Sequence, residues 1–232
     1  MKLRFLFLTF FLSLSVVGTS QAMWVLIFGD KLSNDKMQSG INFSVGTVNY
    51  SGLNDAKYAT NWALGGFSEI RISQKDWFFA FDFTVKSPLG ASNLNSYFPD
   101  IIQDTSLLEK ENITLDNIAF TLPIYVKFKT KYVGFGTGPQ LSYVYKSTLK
   151  YSAKTLSGSE VLVKSKANSY IKNFDIGWFA MAEAYLTPNH PKTSLRLGIR
   201  YFYGFLEPLT IQSDVHNSNF MFTVGIPIGG KE

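Results

Sequence analysis

The stretch SLRLGIRYFYGF, Ser194 to Phe205, places two arginines in an otherwise apolar and aromatic run. Read with a period of two, Leu195, Leu197, Ile199, Tyr201, Tyr203 and Phe205 share one face, while Arg196, Gly198, Arg200, Phe202 and Gly204 share the other. Successive side chains of an extended strand point to opposite faces, so this is a strand with an apolar face and a face that carries both charges. Where those charges go decides the fold.

The same alternation recurs along the chain. Eight runs show it: Gln38 to Tyr50, Asn61 to Ile72, Trp77 to Lys86, Asn117 to Phe128, Tyr132 to Lys146, Asn173 to Leu186, Ser194 to Phe205 and Asn219 to Ile228. In the third, Trp77, Phe79, Phe81, Phe83 and Val85 oppose Asp82, Thr84 and Lys86; in the last, Phe220, Phe222, Val224, Ile226 and Ile228 oppose Met221, Thr223, Gly225 and Pro227. The connections alternate too. Ser73 to Asp76, Lys129 to Lys131 and Thr187 to Lys192 are short, whereas Ser51 to Thr60, Ser87 to Asp116, Ser147 to Lys172 and Leu206 to Ser218 are longer.

A soluble barrel of eight strands has too little interior for this many Phe, Ile and Tyr side chains. Turning it inside out resolves the conflict: the apolar face meets lipid, the polar face fills the lumen, and closure leaves no unpaired strand edge in hydrocarbon. The expected fold is therefore all-β, an eight-stranded antiparallel up-and-down transmembrane β-barrel with a polar, filled lumen. Short turns on the periplasmic side and long loops outside fit a bacterial outer membrane, with both termini periplasmic. The expected lumen charges are Glu69, Arg71, Asp82, Lys86, Lys127, Asp175, Glu183, Arg196 and Arg200, nearly balanced in sign as buried charges require.

Finer expectations follow. A symmetric Thr187-to-Lys192 turn sets Glu183 across from Arg196 as an ion pair, and a tight turn at Lys129 to Lys131 sets Tyr125 opposite Gly134. Gly134, Gly136 and Gly138 either make room for large neighbours or let the strand bend. Trp62, Tyr143, Tyr145, Tyr201 and Tyr203 at one strand end and Trp77 and Phe128 at the other fit interfacial aromatic girdles.

At the amino terminus, Lys2 and Arg4, an apolar stretch from Phe5 to Gly18 and the ending Ser20-Gln21-Ala22 read as a signal peptide over residues 1 to 22, cleaved between Ala22 and Met23. An uncleaved anchor from Phe5 to Phe28 is the alternative. Residues 23 to 37 then form an N-terminal periplasmic segment and 38 to 232 the barrel domain. Without residues 1 to 22 the chain keeps 20 basic and 17 acidic side chains, too mild a charge for nucleic acid. Zero cysteine excludes disulfides, thiolate metal sites, a cysteine nucleophile and a lipid-modified cysteine.

Chemistry is sparse. His190 and His216 are the only histidines, which rules out a multi-histidine metal site. His216 and Ser218 with Glu207 offer a base, a hydroxyl and a carboxylate of the kind that activates a serine, against the plainer reading of a solvated loop. No catalytic, cofactor or metal site is expected. The connection from Ser147 to Lys172 holds Lys154, Lys164, Lys166 and Lys172, and LEKENITLD before the fourth strand is acidic. Both read first as solvated charge; alternatively EVLVKSK extends the strands beyond the membrane as a hairpin turned at Ser157-Gly158, presenting an edge or a basic patch.

Three segments carry a family likeness: FGDKLSNDKMQSGINFSVG, LPIYVKFKTKYVGFGTGPQLSYVY, and FDIGWFAMAEAYL followed by SLRLGIRYFYGF. With these the chain resembles the PorT-like or "porin family" small outer-membrane β-barrel proteins of Bacteroidota. The resemblance implies an eight-stranded barrel of the OmpX or OmpA-domain type and no shared catalytic residues. The expected function is a structural or surface-interaction barrel whose outer loops contact lipopolysaccharide or other surface molecules. Its other partners would be outer-membrane lipid and the barrel-assembly machinery. A narrow porin-like channel, a secretion component and, more remotely, a lipid A-modifying hydrolase are the alternatives.

Overall fold

The computed structural model describes residues 36–72, 76–98, 108–155, 158–189 and 193–228. The signal segment, the Ala22–Met23 cleavage point, nearly all of the N-terminal periplasmic segment and His190 lie outside the described residues. Among the described residues nine strands form: β1 (Met37–Ser51), β2 (Ala59–Arg71), β3 (Trp77–Ala91), β4 (Leu108–Lys129), β5 (Val133–Thr155), β6 (Glu160–Lys166), β7 (Phe174–Tyr185), β8 (Arg196–Gly204) and β9 (His216–Ile228).

Eight of them close a ring. Each of β1 to β5 pairs antiparallel with the next, β5 continues to β7, then to β8 and β9, and β9 returns to β1. β6 stands outside the ring on the free edge of β5. The result is an eight-stranded antiparallel up-and-down barrel, and its faces are inverted relative to a soluble one. Phe43, Trp77, Phe79, Val126, Phe135, Ile199, Phe222 and Ile226 are exposed on the outside, while Asn42, Ser44, Glu69, Asp82, Thr121, Lys127 and Arg196 are buried. Only lipid suits such an exterior, so the barrel spans a membrane.

The runs expected for the fourth and fifth strands are much too short. β4 begins at Leu108 and β5 runs to Thr155, so the acidic stretch expected to be loop is largely strand, as is much of the basic connection after Lys146. These extensions rise past the ring as a three-stranded sheet, β4–β5–β6, with Thr148 to Lys154 pairing Lys166 to Glu160. Here the faces exchange character. On β4 the outward series Phe128, Val126, Ile124, Leu122, Phe120 and Ile118 gives way to Asp116 and Thr114, and the inward series passes from Lys127 and Thr121 to Leu115 and Ile113.

Two irregularities make the exchange possible. A bulge between Ile118 and Ala119 in the β4–β5 ladder leaves both Tyr145 and Lys146 facing out, and so turns Ser147, Leu149, Tyr151 and Ala153 inward. A second, between Thr84 and Ser87, does the same for Ser87, Leu89 and Ala91 on β3. Gly90 follows it with φ +122, and a Cβ there would stand 1.9 Å from the Leu115 carbonyl oxygen. Above the membrane the structure therefore follows soluble rules, apolar inside and polar outside.

Every long connection adds to this second core: Leu53 from β1–β2, Leu94 and Phe98 from β3–β4, Ile171 from β6–β7, and Leu209 and Val215 from β8–β9. They pack on Tyr50, Leu115, Leu149 and Phe202. Polar contacts pin the loops as well. The Asn95 side-chain oxygen accepts from Ile113 N at 2.8 Å, and Asn112 accepts from Asn93 N at 2.8 Å. Short bridges tie Lys57 to Ser92 and Ile171 to Leu209.

Candidate functional site

The lumen at the short-turn end holds one connected ionic cluster. Glu69 on β2 is its hub: it accepts from Lys127 and, at 2.9 Å, from Lys129, both on β4, and at 2.5 Å from Arg196 on β8. Lys127 also donates to Glu183 on β7, and Arg196 donates to Gln38 of β1 at 2.7 Å. The Arg196 guanidinium lies 4.2 Å from the Phe67 ring centre. Glu69 and Lys127 have fully buried side chains. Burial at this depth is tolerable only because each charge meets an opposite partner, and Glu69 meets three.

A second layer lies above. Arg200 of β8 pairs with Asp82 of β3 at 2.6 Å, and Asp82 also accepts from Tyr125 OH at 2.9 Å and from Asn42 at 3.1 Å. Tyr125 packs on Phe179, 5.1 Å between ring centres, in an apolar belt with Ala80 and Met181. Further along come neutral bonds: Ser44 to Thr223 at 2.7 Å, Asn117 to Tyr50 OH at 2.8 Å and Ser147 to Asn117 at 2.6 Å. Asp175 sits among these, accepting from Asn217 at 2.7 Å and from Leu206 N at 3.2 Å.

The structure thus gathers Glu69, Lys127, Glu183 and Arg196 in one cluster, Asp82 with Arg200 in another, and sets Asp175 apart. Of the other two expected lumen charges, one stops at the mouth of the lumen, on the face it shares with Glu69, and one is turned out of it. Arg71 is exposed at the strand end, 5.3 Å from the Phe78 ring centre. Lys86 is turned outward by the β3 bulge, and its ammonium stands 3.0 Å from the centre of the Trp62 ring.

The expected registers shift as well. Tyr185, not Glu183, pairs with Arg196, because Ser194 Oγ accepts from Thr187 N at 2.9 Å and the ladder resumes at Leu186 and Leu195. Arg196 still lies 3.7 Å from Glu183, diagonally. Lys129, not Tyr125, pairs with Gly134, since the turn is closed by Thr130 N donating to Val133 O at 2.7 Å. Tyr125 leans over Gly136 instead, where a Cβ would come within 2.7 Å of its ring. Lys129 and Gln38 were missed for different reasons: Lys129 reads as a turn residue, and Gln38 carries no charge to mark it.

His216, Ser218 and Glu207 are engaged separately. Ser218 Oγ donates to the Asn49 carbonyl at 3.3 Å, the His216 ring lies 5.5 Å from that of Tyr203, and Glu207 accepts from Asp214 N at 3.1 Å. That backbone hydrogen bond, with Lys172 at 3.6 Å, holds the Glu207 carboxyl below its ordinary range.

On the outside, basic side chains collect where the wall leaves the membrane. Tyr145 OH reaches across to the Val85 carbonyl at 3.1 Å, which brings Lys86 and Lys146 to the same rim. Lys150 faces out above them, bonded to Asp116 at 2.6 Å, and Lys166 stands opposite Thr148. Below lies a band of exposed rings: Trp62, Tyr143, Tyr145 and Tyr201.

No protein-family model matches the chain, and no curated protein matches it. Three similar solved structures cover most of it. Ail, the attachment invasion locus protein of Yersinia pestis, solved with the heparin analogue sucrose octasulfate, is 12% identical over 83% of this chain and 99% of its own, with a TM-score of 0.43. Neisserial surface protein A is 18% identical over 81% and 96%, with a TM-score of 0.38. The N-terminal β-barrel domain of Pseudomonas aeruginosa OprF is 11% identical over 83% and 100%, with a TM-score of 0.28.

Proposed function

We propose that this chain is an integral outer-membrane barrel of the PorT-like kind that works from its outer surface, as a closed wall that conducts nothing and presents its long-loop end to glycolipid and to other surface molecules. The observation that carries this reading is the double filling of the lumen, ionic at the short-turn end and apolar at the long-loop end. With both ends packed, the remaining surface for function is the outside. The short turns and termini face the periplasm in this reading.

The chain lacks cysteine, so Ser159→Cys in the hairpin before β6 supplies a unique thiol. Intact cells producing that variant are expected to label with a membrane-impermeant maleimide, and the purified barrel is expected to pass no steady current across a planar bilayer. Labelling only after lysis, or a stable open channel, sinks the reading.

The rim lysines supply the glycolipid contact. Lys86, Lys146 and Lys166 stand just above the aromatic band, where the phosphates of an outer-leaflet glycolipid lie, and each such charge adds about 1 kcal/mol of attraction at a membrane surface. Changing all three to glutamine is expected to lower the phosphorylated glycolipid that copurifies with the barrel severalfold. Unchanged copurification would place that contact elsewhere.

A further inference from the structure

β6 is a short edge strand that, among the described residues, only its own charged side chains guard. β5 pairs with one side of it, and the other side carries no strand among the described residues. Both faces are open: Leu162 on one is 59% exposed and Val163 on the other 53%. Natural sheets blunt such edges with proline, a bulge, a covering loop or charged side chains, and β6 has only the last: Glu160, Lys164 and Lys166, with no proline and no bulge in its ladder with β5. Its charges are also unevenly matched. Glu160 is bonded to Lys154 opposite it at 3.2 Å, but Lys164 stands directly opposite Lys150, a like-charge pair in which Lys150 alone has a carboxylate among the described residues, Asp116 at 2.6 Å.

The sequence around Leu162 is self-complementary. In Ser159-Glu-Val-Leu-Val-Lys-Ser165, turning a second strand end for end about Leu162 lays Leu162 on Leu162, Val161 on Val163, Glu160 on Lys164 and Ser159 on Ser165. We propose that β6 is a homotypic docking edge, pairing antiparallel with β6 of a second copy of this chain in the register centred on Leu162. Each Lys164 then gains the other copy's Glu160, which relieves the Lys150–Lys164 pair. On that face the charges run Lys154, Glu160, then Lys164 and Lys150 of the other copy.

Geometry selects which copies meet. β5 runs unbroken from the membrane wall to Thr155 and β6 returns beside it, so β6 rises from the membrane with roughly the 35–45° tilt of barrel strands. Two copies in one membrane are related by an axis along its normal, which leaves two rising strands pointing the same way out. Antiparallel pairing needs an axis lying in the plane between two membranes. The edge therefore joins copies in facing membranes, and its use between cells rests on the outward placement proposed above. One short edge buries far less than the roughly 1,200–2,000 Å² of a stable interface, so single contacts are weak and arrays of them strong.

The test uses the full chain in zwitterionic vesicles, with clustering followed by light scattering and barrel closure checked by heat-dependent gel mobility. Wild-type vesicles are expected to cluster. Glu160→Lys alone and Lys164→Glu alone are each expected to slow clustering at least tenfold, since each sets like charges against like. An equal mixture of the two vesicle types is expected to recover, because each variant then faces the opposite charge at both positions. Dispersed wild-type vesicles, single variants that cluster normally, or a mixture that stays dispersed would each overturn the pairing. Vesicle clustering by a chain whose Ser159→Cys variant resists labelling on intact cells overturns the outward placement and leaves the pairing standing.

Discussion

Replacing Glu69 with glutamine is expected to cost the barrel about 3–5 kcal/mol, read as a fall in the denaturant concentration or the temperature at which the purified protein loses its compact gel mobility. Glu69 is the shared acceptor of Lys127, Lys129 and Arg196, and its removal leaves Glu183 to face Lys127 and Arg196, and Lys129 with no carboxylate partner among the described residues. An uncompensated buried charge is far more costly than the loss of one surface ion pair, which is worth at most about 1 kcal/mol. The prediction has a built-in control. Lys127→Met removes one of the cations, so the double variant is expected to be less destabilised than the sum of the two single ones, with a coupling above about 1 kcal/mol, because residues in one network do not add. Additive effects would mean that water screens the cluster and that Glu69 is not its hub.

How much of this was legible in the sequence depends on what enforced each feature. The ring was legible because lipid tolerates no exception on its own face: Phe220, Phe222, Val224 and Ile226 must point one way, and Arg196 and Arg200 must then point the other. The inward position of Glu69, Asp82 and Lys127 follows from the same parity. Lys86 escapes it because a single extra residue in a ladder reverses every face beyond it, and nothing in the composition of Val85-Lys86-Ser87 announces a bulge. The apolar cap was illegible for a related reason. Its side chains are scattered singly through four connections, with no period to gather them, and the strands that carry the rest change rules between Ile118 and Asp116. For β6 the alternation of EVLVKSK is readable, but solvated charge is the plainer reading of that stretch, and it is the ladder with β5 that makes it a strand.

The change of rules along β4 predicts opposite sensitivities on its two faces. Ile124 points outward near the middle of the wall, and Ile124→Lys is expected to impair insertion itself, at about 2–4 kcal/mol for a cation at the bilayer midplane. Leu115 lies nine residues earlier on the inward face, 1% exposed, beside Asp116, which already points out to water. Truncating a buried leucine costs about 2–5 kcal/mol, and an aspartate adds an unpaired charge to that loss, so Leu115→Asp is expected to open the cap. The ring below has its own buried apolar cluster around Tyr125 and Phe179 and is held by its own ladder and ionic layers, so it should stay closed. The expected signature is a Leu115→Asp protein that keeps its heat-dependent gel shift in vesicles but is cut rapidly by added protease in the connections around Leu94 and Leu209, sites protected in the wild type. Loss of the gel shift together with protection would instead make cap and ring one cooperative unit. A variant as resistant as the wild type would place Leu115 outside the core altogether. Because the two substitutions sit on the same strand, any difference between them reports the face and the depth of each position and not the strand they share.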